Sequence, residues 1–203
     1  MKKSLVITGA ASLALAAMPV LGAFADVTDT VQITIPSACS VASDSGETTP
    51  GATNSMTSNM TNNDVKEFSA AQDAAGAGGD IYVTCNASGG WNITAVGFSS
   101  DTEGNTDMVV TTGTGTAIPT NASPAAGTSA WAYKIVDTGS TGATIVPTTW
   151  SVIPNQAGVV VSKSGAISEG HISTNYKVST SATQEAATYT GKVKYVVSSG
   201  LGL

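Results

Sequence analysis

The chain has 203 residues with 14 acidic and 8 basic side chains, and every basic one is a lysine, so the formal net charge is −6. Because nucleic acids and anionic membrane surfaces are bound through clustered Lys and Arg, this balance argues against both as partners. Only 11% of the residues are charged, and the abundance of Thr, Ser and Gly indicates strands and turns rather than helices.

The first 25 residues have the pattern of a secretory signal peptide. Two lysines near the start precede an apolar run over residues 5–21, and residues 23–25 read Ala-Phe-Ala, which fits a cleavage site. A short membrane anchor is the alternative, although Pro19 and several polar residues interrupt the run. We expect cleavage after residue 25, leaving residues 26–203 as a single domain. The product would be secreted or held at the cell surface, without membrane insertion once the signal is removed.

Residues 27–35 open the mature chain with an amphipathic strand pattern. Its apolar face consists of Val27, Val31, Ile33 and Ile35. Pro36 has no N–H to donate, so it ends this strand or places it at a sheet edge. Two arrangements are compatible with the pattern. The strand pairs within its own domain, which we favour, or it is donated to the sheet of a neighbouring copy.

The chain contains two cysteines, Cys39 and Cys85. An exported protein with two cysteines most simply forms one disulfide bond, so we predict a bridge between them. Free thiols and a metal site are the alternatives, but these cysteines and the single histidine, His171, fall short of a structural zinc set. Residues 42–63 are rich in Ser, Thr and Asn without periodicity, and predict a long flexible surface loop.

Two strands are predicted on either side of a glycine-containing turn. Residues 81–85 alternate Ile, Val and Cys with Tyr and Thr, and residues 91–97 place Trp, Ile and Ala at alternate positions. Between them, residues 86–90 read Asn-Ala-Ser-Gly-Gly, which is typical of a tight turn. The stretch therefore predicts a β-hairpin. Upstream, residues 64–75 fit either one short helix or a strand at residues 65–68 followed by a loose turn.

The loop that follows carries oxygen-bearing side chains at every second position. They are Asp101, Glu103, Asn105 and Asp107. Calcium is held by oxygen ligands spaced in this way in a bending loop, so the pattern predicts a calcium site. Thr106 and Thr112 stand where an EF-hand loop has its glycine and glutamate. An ordinary polar turn is the alternative interpretation.

The second half of the chain predicts further strands with polar loops between them. The strands cover residues 108–110, 131–136, 150–153, 158–163, 171–179 and 188–198. Residues 111–128 predict a Gly, Thr and Pro loop. About seven to ten short strands separated by turns predict an antiparallel β-sandwich.

Three sequence blocks can be compared with a known family. They are residues 33–41 (ITIPSACSV), 83–97 (VTCNASGGWNITAVG) and 187–198 (ATYTGKVKYVVS). The first two resemble the paired-cysteine pattern of chaperone-usher pilins and spore-coat-U-type domains. The third resembles their closing strand and that of WxL cell-wall-binding domains. The resemblance implies an immunoglobulin-like, pilin-like sandwich with a structural or adhesive role at the cell surface, whose partners are other surface proteins, further copies of itself, or host or cell-wall glycans.

The sequence offers no pattern typical of catalysis. His171 is its only histidine, and no serine lies in a G-x-S-x-G motif. We therefore expect a protein that is not an enzyme and has no cofactor other than the calcium considered above. The alternative function is a secreted carbohydrate- or calcium-binding module with Trp91, Trp131 or Trp150 exposed as a stacking platform. The strand patterns around all three tryptophans favour burial.

Overall fold

The computed structural model describes residues 37–42, 59–68, 80–137 and 141–200. In this part of the chain all regular structure is β. A helix with the length and apolar character needed to span a membrane is absent from these residues. The predicted all-β class with antiparallel sheets is confirmed, and the arrangement is consistent with a β-sandwich. The predicted signal peptide, the strand at residues 27–35 and most of the loop at residues 42–63 lie outside the described residues.

Eleven strands are present in the described ranges. They are β1 (Cys39–Ala42), β2 (Val65–Phe68), β3 (Asp80–Cys85), β4 (Trp91–Gly97), β5 (Val109–Gly113), β6 (Ala130–Asp137), β7 (Thr144–Ile145), β8 (Gly158–Lys163), β9 (Ile167–Ser179), β10 (Ala187–Thr190) and β11 (Val193–Ser199). All of the strand ladders are antiparallel.

The larger sheet is built around the long strand β9. β6 pairs with one edge of β9, while β3 and β2 pair in succession along the other edge. β1 then pairs with β3. Ile172, Thr174 and Val178 of β9 are buried, as expected for its inward face, but Ser173 is buried as well and Tyr176 is only partly buried. The strand predicted at residues 171–179 is confirmed, and it begins earlier, at Ile167.

The second sheet has the strand order β11-β4-β8-β7. Trp91 and Ile93 of β4 are fully buried, and Ile93 is the register partner of the equally buried Val161 on β8. Apolar side chains from both sheets form one core cluster. Removing each large apolar side chain from water contributes about 1.5–3 kcal/mol to the free energy of unfolding, so this core is the main stabilising feature.

The predicted hairpin of β3 and β4 is wrong. β3 pairs with β1 and β9 in the larger sheet, whereas β4 pairs with β11 and β8 in the second sheet. The turn between them carries the chain from one sheet to the other. Gly90 in this turn has a φ of 102°, and a Cβ there would clash with the Lys163 carbonyl oxygen on β8. Glycine is required here because the backbone both adopts positive φ and packs against β8.

The strand predicted at residues 188–198 is two strands. β10 pairs with β5 in a separate two-stranded ribbon, and β11 pairs with β4 in the second sheet. The break includes Gly191, where an added Cβ would lie 2.6 Å from Trp131 Cη2. The chain therefore passes directly over the buried indole as it moves from the ribbon to the sheet.

In three shorter segments the structure either differs from the prediction or shows which of two predicted alternatives is present. Residues 65–68 form strand β2 rather than a helix, and β5 extends into the segment predicted as a loop. The strand predicted at residues 150–153 is reduced to one bridge between Ser151 and Tyr133. Ile153 donates its N–H to the Thr120 hydroxyl at 2.7 Å instead of to a neighbouring strand, so the ladder does not continue.

Candidate functional site

The predicted disulfide bond joins Cys39 and Cys85. The two residues are register partners at one end of the β1–β3 pair, and Cys85 is buried in the core cluster. The bond therefore ties the edge strand of the larger sheet to the interior. Disulfide bonds form and persist in oxidising compartments, so this one indicates an extracellular type of environment.

Edge strands β1 and β11 adjoin each other. In the described ranges β1 pairs with β3 alone and β11 with β4 alone, and the two strands lie close together without forming a ladder. Each strand therefore has one row of N–H and C=O groups that no described strand pairs with. Such rows are where a further strand can be added, since main-chain hydrogen bonds provide affinity and alternating side chains provide register.

The residues predicted to supply an added strand are not placed. Val27, Val31, Ile33 and Ile35 all lie outside the described residues, so their pairing stays a prediction. In the sequence, residues 27–35 end four positions before β1 begins at Cys39.

Tyrosines connect β11 with the larger sheet: Tyr133 is buried, whereas Tyr176 and Tyr195 are partly buried and pack against the core. Tyr195 of β11 and Tyr176 of β9 have hydroxyl oxygens 3.0 Å apart, and this hydrogen bond crosses the core. Tyr133 of β6 is the register partner of Tyr176. Burial raises the pKa of Tyr133 to about 12, and burial also raises the pKa values of Tyr176 and Tyr195 above 10. The edge strand is thus held to the larger sheet by uncharged, desolvated groups.

The first two side chains of the predicted calcium site are paired with lysines. Lys192 Nζ lies 2.5 Å from Asp101 Oδ1, and Lys194 Nζ lies 2.7 Å from Glu103 Oε1. These pairs attach the loop to the start of β11. Because all four side chains are largely exposed to water, each pair contributes at most about 1 kcal/mol.

The other two predicted calcium ligands make contacts within the loop. Asn105 donates from Nδ2 to Ser100 Oγ at 2.7 Å, and its Oδ1 accepts the Asp107 N–H at 3.1 Å. Across the ranges that the structure describes, no group of three or more His, Cys, Asp or Glu is arranged to hold a metal. The calcium site stays a prediction. Calorimetric titration of the mature domain tests it, and no heat at millimolar calcium would exclude it.

The tryptophans differ in exposure. Trp91 is fully buried and Trp131 is 3% exposed. Neither can act as an exposed stacking platform, and the prediction that they belong to the core is confirmed. Trp150 lies outside the strands and is only partly buried. Its ring centre is 4.4 Å from Lys134 Nζ and 5.8 Å from Lys177 Nζ.

No sequence motif marks Lys134 and Lys177 as part of a site. Lys134 and Lys177 lie at outward positions of two predicted strands, and this position is the one sequence feature that indicates a shared surface. The missing information was the pairing of β6 with β9, which brings the two strands side by side. His171 also lies on β9, and its ring stacks on Tyr82 with the centroids 4.6 Å apart. The expectation of a non-catalytic protein stays a prediction.

Comparison with known proteins adds no relative. No family model, curated protein or solved structure matches the chain. The resemblance to pilin-like surface proteins therefore stays a hypothesis from the sequence blocks. Function has to be inferred from the sequence and from the geometry described above.

Proposed function

We propose that this chain is an exported, non-catalytic structural or adhesive protein of the cell surface. The main support is the pair of adjoining edges at β1 and β11 on a framework cross-linked by the Cys39–Cys85 bond. The disulfide bond between β1 and β3 stabilises the fold and suits an oxidising, extracellular type of environment. The edges of β1 and β11 that no described strand pairs with give the chain a way to associate through the backbone. Its acidic, arginine-free composition favours protein or glycan partners over nucleic acid.

A fibre-like subunit is the more specific form of this proposal. In that form residues 27–35 of one copy complete the region of β1 and β11 in the next copy. The alternation of apolar and polar residues in this segment suits an added strand, because one face would enter the core and the other would meet water. The alternative is that the same segment completes its own domain and that association uses other surfaces.

Deletion of residues 26–35 from the mature chain distinguishes the two forms. The matched control is deletion of ten residues from the predicted loop, residues 48–57. Sedimentation measures assembly and circular dichroism measures folding. A folded monomer that no longer assembles supports strand donation, and loss of the β spectrum supports pairing within the domain. Assembly that is unchanged by the deletion would contradict the fibre-like form.

A carbohydrate-binding module is the second candidate function. It is favoured by one observation, the partly exposed indole of Trp150 beside two lysines on the larger sheet. The two functions are compatible, because an adhesive surface protein requires a ligand.

A further inference from the structure

The outward face of the larger sheet contains a cluster of polar and aromatic side chains, here called the Trp150 cluster. It consists of Glu67 on β2, Asn175 and Lys177 on β9, Lys134 on β6, and Trp150. Cross-strand register fixes this arrangement, since Glu67 is the partner of Lys177 and Lys134 is the partner of Asn175. Three adjacent strands therefore present these groups on one rigid surface.

The cluster carries an excess positive charge. Lys177 Nζ lies 3.2 Å from Glu67 Oε1, so that pair is neutral overall. Lys134 is partly buried, and no carboxylate among the described residues pairs with it; its contact is with the face of Trp150. A cation–π contact supplies less stabilisation to a partly desolvated ammonium than an anion would. In a chain of net charge −6, this is a local site that favours a negatively charged group.

Asn175 adds a hydrogen-bonding group with unused capacity. Its Oδ1 atom is shielded from water and accepts no hydrogen bond in the structure. A buried acceptor without a donor is unfavourable, and turning the amide toward a ligand would break no hydrogen bond of that oxygen. The amide could then accept a hydrogen bond from a hydroxyl group.

We propose that the Trp150 cluster binds a saccharide that contains a uronic acid. The sugar carboxylate pairs with Lys134, and a ring hydroxyl donates to Asn175 Oδ1 once the amide has turned toward the ligand. An apolar face of the sugar packs on the side of the Trp150 indole that the lysines do not cover. An acidic sugar combines all three features, whereas an inorganic anion offers no apolar face and a neutral sugar offers no charge. Such a saccharide would be the ligand in the adhesive role, and its assignment rests on that proposed function; the Trp150 cluster is separate from the β1 and β11 edges.

Titration of the mature, oxidised chain with a galacturonic acid tetrasaccharide tests the proposal. Tryptophan fluorescence is the readout, because Trp91 and Trp131 are buried and a change on binding reports on Trp150. The matched ligand is a galactose tetrasaccharide, and sodium acetate at the same carboxylate concentration controls for charge. We expect the acidic tetrasaccharide alone to produce a saturable change.

Two variants with the same change in charge locate the site. Lys134→Gln should weaken binding of the acidic tetrasaccharide about tenfold or more, because it removes the charged partner. Lys163→Gln on β8 of the second sheet should leave it within about twofold. Circular dichroism verifies that both variants are folded. No saturable change in the unmodified chain, or equal weakening in both variants, would overturn the proposal. Neither result would alter the outcome of the deletion experiment on residues 26–35, so the surface role is tested separately.

Discussion

Gly191 shows how closely the ribbon-to-sheet crossing packs on the core. A Cβ at this position would lie 2.6 Å from Trp131 Cη2 and 2.9 Å from Met108 Cγ. Gly191→Ala should therefore lower the free energy of unfolding by about 1–3 kcal/mol through overpacking. Urea denaturation measures the change. Gly89→Ala is the control, since nothing lies within 4 Å of its added Cβ, and equal stability of the two variants would contradict the described packing.

Because Tyr133 is buried, we expect the free energy of unfolding to fall in alkaline solution. An unfolded tyrosine ionises near pH 10, whereas burial holds the pKa of Tyr133 at about 12 in the folded chain. Above pH 10 the unfolded state therefore loses protons first, and the free energy of unfolding falls as the pH rises toward 12. Toward the upper end of this range the loss from Tyr133 is on the order of 2 kcal/mol.

Urea denaturation between pH 8 and pH 11.5 measures this fall in the free energy of unfolding. Stability should be flat with respect to tyrosine ionisation below about pH 9, and Tyr133→Phe should make the decline above pH 10 shallower. A Tyr133→Phe variant with the same slope as the unmodified chain would contradict the assignment of this group.

At the scale of elements, strand positions were easier to predict than strand partners. The alternation in β3, β4, β6 and β9 is a local property of the sequence, because it depends only on which side chains face the core. Whether two successive strands pair or cross between sheets depends on the turn geometry at Gly90 and on packing against β8. Both arrangements bury the same residues, so the hairpin prediction had no internal contradiction.

The same limitation applies to the candidate site. Cys39 and Cys85 could be paired from the sequence because the chain has no other cysteine. The Trp150 cluster could not be predicted from the sequence, because Lys134 and Lys177 are 43 residues apart and are brought together only by the pairing of β6 with β9. Likewise, the lysines that pair with Asp101 and Glu103 come from the far end of the chain.

For the whole molecule, the disulfide bond is the strongest single constraint on the unfolded chain. It links residues 46 apart in sequence, which corresponds to about 4 kcal/mol of stability in the chain-entropy account. A Cys39→Ala and Cys85→Ala double variant should lose roughly that amount in urea denaturation while keeping its β spectrum. A loss below about 1 kcal/mol would show that the closed loop contributes little.

We propose that the chain acts outside the cell with its two cysteines oxidised. Fractionation of the producing cells, with alkylation of free thiols before mass spectrometry, tests this proposal. We expect a chain beginning at Asp26, recovered from the cell surface or the medium, with Cys39 and Cys85 linked. A chain that retains residues 1–25 in the cytoplasm with both cysteines alkylated would contradict it.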